Sequence, residues 1–180
     1  MIFFLSSELF CFLRNSYEAE LEKMDAENVR VDIATYGISL YDDVIDEFRQ
    51  KSAAAEFLEC ISGTGNNTRL VVGIPPKKRF EGASYGLNIV DFHKRAREIQ
   101  DLGNAYGITA VAISESHLKM YRINDIYVVG GINFSNSRWT DCSVVITDKS
   151  DKIELQEIFD CTFKRATVIN PINKQCSLSC

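Results

Sequence analysis

His117, Lys119 and Asn133 carry the side chains of this chain best suited to phosphate chemistry. A neutral imidazole is a nucleophile toward phosphorus, while an ammonium and a carboxamide hold the non-bridging oxygens of a phosphodiester as charge develops there. The spacing brings the three together. On an extended segment His117 and Lys119 project to the same face, because side chains alternate with period two. Asn124-Asp125 is a turn signal that returns Ile126 to Val129 antiparallel to the histidine segment. Gly130 and Gly131 then permit close backbone approach, and Asn133 presents an amide at the end of that strand. Such a set needs no metal and no cofactor. The plainer reading of His-x-Lys on a strand is a pair of surface polar groups.

The elements that must position these residues follow from periodicity. Val29, Val31 and Ile33 alternate with Arg30 and Asp32, which predicts a strand over residues 29–39. Continuous apolar runs at 69–75 and 108–114 predict strands buried on both faces, and 141–148 predicts another. Helices are expected at 17–27, at 41–61 (Val44, Ile45, Phe48, Phe57, Leu58 and Ile61 inward), at 91–103 and at 150–163. Residues 1–13 read as a core strand and loop; they lack the basic start and cleavage site of a signal peptide. Residues 62–68 form a loop, since Gly63-Thr64-Gly65 lacks the Lys-Ser/Thr of a phosphate-binding loop.

Helices alternating with strands predict an α/β domain: a mixed, largely parallel sheet flanked by helices on both faces. One domain is expected over residues 1–165, followed by an irregular tail over 166–180. The helix at 91–103 carries Lys94, Arg95 and Arg97 on one face. A solvated surface is the bland account of that face; a steering patch for a phosphate-bearing substrate, through Lys94 and Arg97, is the functional one.

Composition bounds the classes. With 46 % hydrophobic and 25 % charged residues the chain is an ordinary soluble composition, and a net charge of −5 argues against binding nucleic acid by overall field. Six cysteines without a C-x-x-C pair, and two histidines, leave almost no ligand set for zinc. Cys11, Cys60, Cys142 and Cys161 lie in apolar runs and are expected to act as small core hydrophobes in a cytoplasmic protein. No run reaches the ~18 apolar residues of a membrane span.

The order His-x-Lys, a turn, then Gly-Gly-x-Asn-Phe-Ser resembles the phospholipase D superfamily, specifically its short single-motif nucleases. It is carried by His117, Lys119, Gly130, Gly131, Asn133, Phe134 and Ser135. The resemblance implies a metal-independent phosphodiesterase, most simply a nuclease acting on DNA or RNA, with Ser135 and Gly131 on the substrate. It implies Asp141, ahead of an apolar strand, as the acid that orients the histidine. Asn124 stands where the family has aspartate, Asp141 where its nucleases have glutamate, and the segment before the glycines is one residue short. A single motif copy implies a homodimer whose two His117 rings share one site, one as nucleophile forming a phosphohistidine and one as acid. His93 lacks the His-x-Lys spacing and reads as a surface or packing residue. The alternative is a catalytically silent fold of the same type that binds nucleic acid or a protein partner.

Overall fold

Apolar runs bounded by turn residues become the central strands. The structure is a computed structural model describing residues 3–4, 6–36, 38, 52–74, 89–114, 116–134 and 142–169. Its elements are β1 (Phe3–Phe4), α1 (Ser6–Leu21), β2 (Val31–Tyr36), α2 (Ala53–Cys60), β3 (Gly65–Ile74), α3 (Ile89–Tyr106), β4 (Ile108–Ser114), β5 (Met120–Ile123), β6 (Ile126–Gly130), β7 (Ser143–Ile146) and α4 (Lys149–Ile169). They build one seven-stranded sheet in the order β1-β7-β6-β5-β2-β3-β4.

The sheet is mixed, and the expectation of a largely parallel one is corrected. Among the described strands β2–β3 and β3–β4 run parallel, whereas β2–β5, β5–β6, β6–β7 and β1–β7 are antiparallel. The physical reason is the connections. Helices α2 and α3 supply the crossovers that parallel neighbours require, whereas β5 and β6 are joined by a two-residue turn that only an antiparallel pair can use.

Alternation along the strands sorts the core. Val31 and Ile33 of β2, with Leu70 and Val72 of β3, pack in one cluster with Leu9, Phe10, Leu13 and Tyr17 of α1, Phe57 and Leu58 of α2, and Phe92, Ala96 and Ile99 of α3. Ala34, Val71, Val111, Ile113, Met120 and Tyr127 form a second cluster with Phe159 and Ala166 of α4. Each fully buried Phe or Leu contributes about 1.5–3 kcal/mol of burial free energy.

Several boundaries differ from expectation. Residues 6–21 form one helix, α1, where a strand and loop followed by a later helix were expected. Leu9, Phe10, Leu13 and Tyr17 fall at helical spacing and are all buried, so packing of that stripe makes residues 6–21 helical. The expected helix over 41–61 is not continuous: Ser52 is extended and caps α2, its Oγ accepting from the Ala55 N–H at 3.2 Å. Val44, Ile45 and Phe48 lie outside the described residues. Helix α4 continues to Ile169, through the boundary placed after residue 165, and Ile158 points outward. Cys11, Cys142 and Cys161 are exposed and only Cys60 is partly buried, which corrects their assignment to the core. On α1 and α4 the helical phase of Cys11 and Cys161 turns them away from the buried stripe.

Asp32 is the charged residue around which α4 docks. It is fully buried, and its register partners are Arg69 on β3 and Arg122 on β5. Oδ1 accepts from Arg69 Nε at 2.7 Å; Oδ2 accepts from Arg30 Nε and Arg122 Nη1, both at 3.1 Å, and from Gln156 Nε2 of α4 at 3.4 Å. Four donors match the acceptor capacity of a carboxylate. Asp160, also on α4, pairs with Arg69 Nη2 at 2.8 Å and Arg30 Nη2 at 3.4 Å. The Arg69 guanidinium lies over the Phe159 and Phe163 rings at 4.8 and 5.1 Å, so one side chain serves both the ion cluster and the apolar seam.

Candidate functional site

The histidine segment lies at the carboxyl ends of the parallel strands. β4 ends at Ser114, residues 116–119 follow without regular structure, and β5 begins at Met120. His117 and Lys119 therefore precede the strand on which alternation was expected to place them. They meet all the same, at Tyr36, the last residue of β2. The His117 ring stacks on the Tyr36 ring with centroids 3.8 Å apart and planes at 21°, and Lys119 Nζ stands 5.7 Å from the same ring centroid. Lys119 Nζ also donates to the His117 carbonyl oxygen at 3.5 Å. His117 is exposed and Lys119 half-buried.

The antiparallel return is as expected. Met120 pairs with Val129 and Ile123 with Ile126, and the Gly130 N–H donates to the Lys119 carbonyl at 3.4 Å. Asn124 forms the hairpin tip in the left-handed region, φ 48°, which asparagine tolerates. Its N–H donates to the Arg30 carbonyl at 2.9 Å and its Oδ1 accepts the Arg30 N–H at 3.0 Å. Asn124 thus sits at the far end of β5 from His117 and does structural work in the turn.

Gly130 and Gly131 make the close approach that glycine permits, but toward the chain itself. A Cβ on Gly130 would lie 2.3 Å from the Cys142 carbonyl oxygen and 2.5 Å from Ser143 Cα. The Gly131 N–H donates to the Cys142 carbonyl at 2.8 Å and so ties the chain leading into β7 to this glycine.

Residues 132–134 are tied down on both sides of Asn133. The Tyr121 hydroxyl donates to the Ile132 carbonyl at 2.9 Å, and the Phe134 N–H donates to Thr35 Oγ1 at 2.8 Å. The Thr35 hydroxyl in turn bonds the Tyr121 phenol; burial, the larger influence, pushes that phenol far above its ordinary range and keeps it a neutral donor. The Phe134 ring is fully buried against Phe10, Phe57 and Tyr121. The phenylalanine of Asn-Phe-Ser is thus a core anchor, and Asn133 is carried between two buried neighbours, Ile132 and Phe134. Asn133 Oδ1 is buried and has no hydrogen-bond partner among the described residues.

Asn133 is joined to the histidine through Phe134, Thr35 and the adjacent Tyr36. No contact among the described residues joins Asn133 to His117 directly. Asp141 and Ser135 lie outside the described residues. Lys94 and Arg97 are exposed on α3, where Arg97 Nε donates to the His93 carbonyl at 3.4 Å; among the described residues no contact brings them to His117. His93 is exposed on the same helix, with its ring edge-on to Phe92. Tyr36 is the residue that sequence reasoning missed. The signal was present: Asp32, Ala34 and Tyr36 share one face of β2, and the last of them falls at a strand's carboxyl end, where open α/β sheets hold their ligands.

Fold and site together define a class: a mixed α/β sheet with an exposed, face-stacked imidazole and a nearby ammonium at the carboxyl ends of its parallel strands. No family model and no curated protein matches the chain. Among solved structures it is similar to TrmBL2, an archaeal chromatin protein whose structure is described as showing a novel mode of DNA binding, with 11 % identity over 86 % of this chain and 50 % of that chain at a TM-score of 0.41. The chain spans about half the length of that protein. No described helix is long and apolar enough to cross a membrane.

Proposed function

We propose that the chain is a phospholipase D-like, metal-independent phosphodiesterase, with nucleic acid as its substrate and His117 as its nucleophile. The observation that carries this reading is the stacked His117 ring with Lys119 beside it. Stacking occupies a face of the imidazole and leaves its two nitrogens, which lie in the ring plane, available at the edge. One ring nitrogen forms a bond to phosphorus as the ester P–O bond breaks, Lys119 places its charge against the non-bridging oxygens and the Asn133 amide donates a hydrogen bond to them. The departing oxygen takes a proton from His117 of a second copy. That imidazole then removes a proton from water, which attacks the phosphohistidine and returns the first ring to its starting state. Asp141 is assigned as the acid that orients the imidazole, and Ser135 as a further contact to the substrate. Lys94 and Arg97 are assigned to steering the polyanion.

The test is cleavage of single- and double-stranded DNA and RNA in excess EDTA, with His117→Ala and Lys119→Ala alongside. Activity in EDTA that falls on the order of 10³-fold or more in His117→Ala is expected. Turnover that requires added divalent metal, or that survives His117→Ala, overturns the reading. Sedimentation of the active protein as a strict monomer removes the second histidine and with it this mechanism.

A second reading, a silent fold of this type that binds nucleic acid or a protein partner, is favoured by one observation. Asn124, which stands where the family has aspartate, bonds Arg30 through its backbone N–H and its Oδ1 at the hairpin tip, at the far end of β5 from His117. Binding that persists in His117→Ala, with no turnover of any phosphodiester by the parent protein, selects this second reading.

A further inference from the structure

We propose that Tyr36 is the positioning residue of the His117 site, with Gly73 making the space that brings the two rings together; this rests on the reading of His117 as the nucleophile. A histidine in an irregular segment has two side-chain torsions to fix before its nitrogens point anywhere in particular. A flat ring 3.8 Å below it, at 21°, fixes the plane of the imidazole and hence the plane in which both nitrogens lie. Placing the reacting nitrogen is what a near-attack geometry requires, and misplacement by about 1 Å can cost on the order of 10²-fold in rate.

Two independent features point the same way. Lys119 Nζ lies over the same Tyr36 ring at 5.7 Å, so one aromatic ring gathers both the imidazole and the lysine assigned to a phosphoryl group. Gly73 on β3 is the register partner of Tyr36, and a Cβ there would lie 2.1 Å from the Ser116 carbonyl oxygen and 3.1 Å from Tyr36 Cδ2. The missing side chain therefore admits the backbone next to His117 and the edge of the Tyr36 ring into one place. β2, β3 and the segment entering β5 converge on it. His93 shows the contrast within the same chain: its ring meets Phe92 edge-on at 5.9 Å and 69°, on the exposed face of α3.

With only two histidines in the chain, both can be followed at once. The experiment records the imidazole proton resonances of full-length protein carrying Tyr36→Leu or Tyr36→Phe, with steady-state cleavage measured in EDTA. The ring current of Tyr36 should displace the His117 signals upfield. Tyr36→Phe should keep that displacement and the parent kcat; Tyr36→Leu should lose it, leave His93 unmoved, and lower kcat about tenfold or more with KM changed less than about twofold. His117 signals that stay displaced in Tyr36→Leu overturn the proposal, as does a kcat in Tyr36→Phe as low as in Tyr36→Leu, which would assign the effect to the hydroxyl. Inactivity of the parent protein on every phosphodiester overturns the nucleophile reading alone, and the spectra then decide whether Tyr36 holds the ring.

Discussion

The two ends of β2 face the same side of the sheet and solve opposite problems. At one end Asp32 is sealed beneath α4 with four N–H donors, its charge matched in three directions by arginines. At the other, two residues past Ala34 on that face, Tyr36 offers a ring to an exposed imidazole whose nitrogens meet nothing among the described residues. A charge whose acceptor sites are all filled has nothing left to give a ligand. An imidazole held by its face keeps its chemistry at its edge. The charged residues that look most reactive by composition, Asp32 and its arginines, thus hold the fold, while the function proposed above is assigned to His117 at the other end.

The contrast can be broken by substitution, beginning with the largest expected effect on stability. Asp32→Ala removes the buried carboxylate shared by three guanidinium groups and leaves Arg69 and Arg30 with Asp160 alone, so it should cost about 3–5 kcal/mol in urea unfolding; a loss below about 1 kcal/mol would show that the cluster is not a structural keystone. Gly73→Ala drives a methyl group into the Ser116 carbonyl and the Tyr36 ring, and should cost about 1–3 kcal/mol while shifting the His117 resonances. An unshifted His117 spectrum in that variant would detach the two positions from one another. His117→Ala should change unfolding by no more than about 1 kcal/mol, the scale of one aromatic contact. A larger loss there would make the histidine part of the scaffold and erase the distinction between the two ends.

The smallest effect comes from acid. Burial raises the Asp160 carboxyl, but hydrogen bonds from Arg69 and Gln156 and the charges of Arg69 and Arg30 outweigh it and leave it below the ordinary carboxylate range. A depressed folded value means the contribution is present above the unfolded pKa, about 3.9, and is lost as pH falls through the folded value. Urea midpoints should therefore decline below about pH 4, modestly because Asp160 is nearly half exposed, and Asp160→Asn should flatten the decline. An equal decline in that variant would place the acid sensitivity elsewhere.

The parallel core was legible because it is local. The run at 108–114 is β4 residue for residue, and Phe92, Ala96 and Ile99 fall on the buried side of α3 as their spacing requires. The hairpin was legible from Asn124-Asp125 alone. The Asp32 cluster was not, because Arg30 and Asp32 alternate with valines as exposed residues do, and only strand register and α4 show that four distant side chains meet there. α1 was hidden for a different reason: its buried stripe of Leu9, Phe10, Leu13 and Tyr17 spans the boundary between the segment read as a core strand and loop and the helix expected from residue 17. Of the proposed site, the pairing of His117 with Lys119 follows from the order of residues, while the anchoring of Asn133 through Thr35 and Tyr121, and Tyr36 itself, required knowing where β2 ends.

The Asp32 cluster also dictates a schedule for assembly. Its donors lie at residues 30, 69, 122 and 156, spread along most of the described chain. At the roughly 5–20 residues per second of protein synthesis, the carboxylate is made many seconds before its last donor. The half-built sheet must therefore keep that face open to water, and closure waits for α4. A nascent chain stalled ahead of Gln156 is held in this open form, so α4 acts as the final bolt on a sheet whose parallel strands were made long before it.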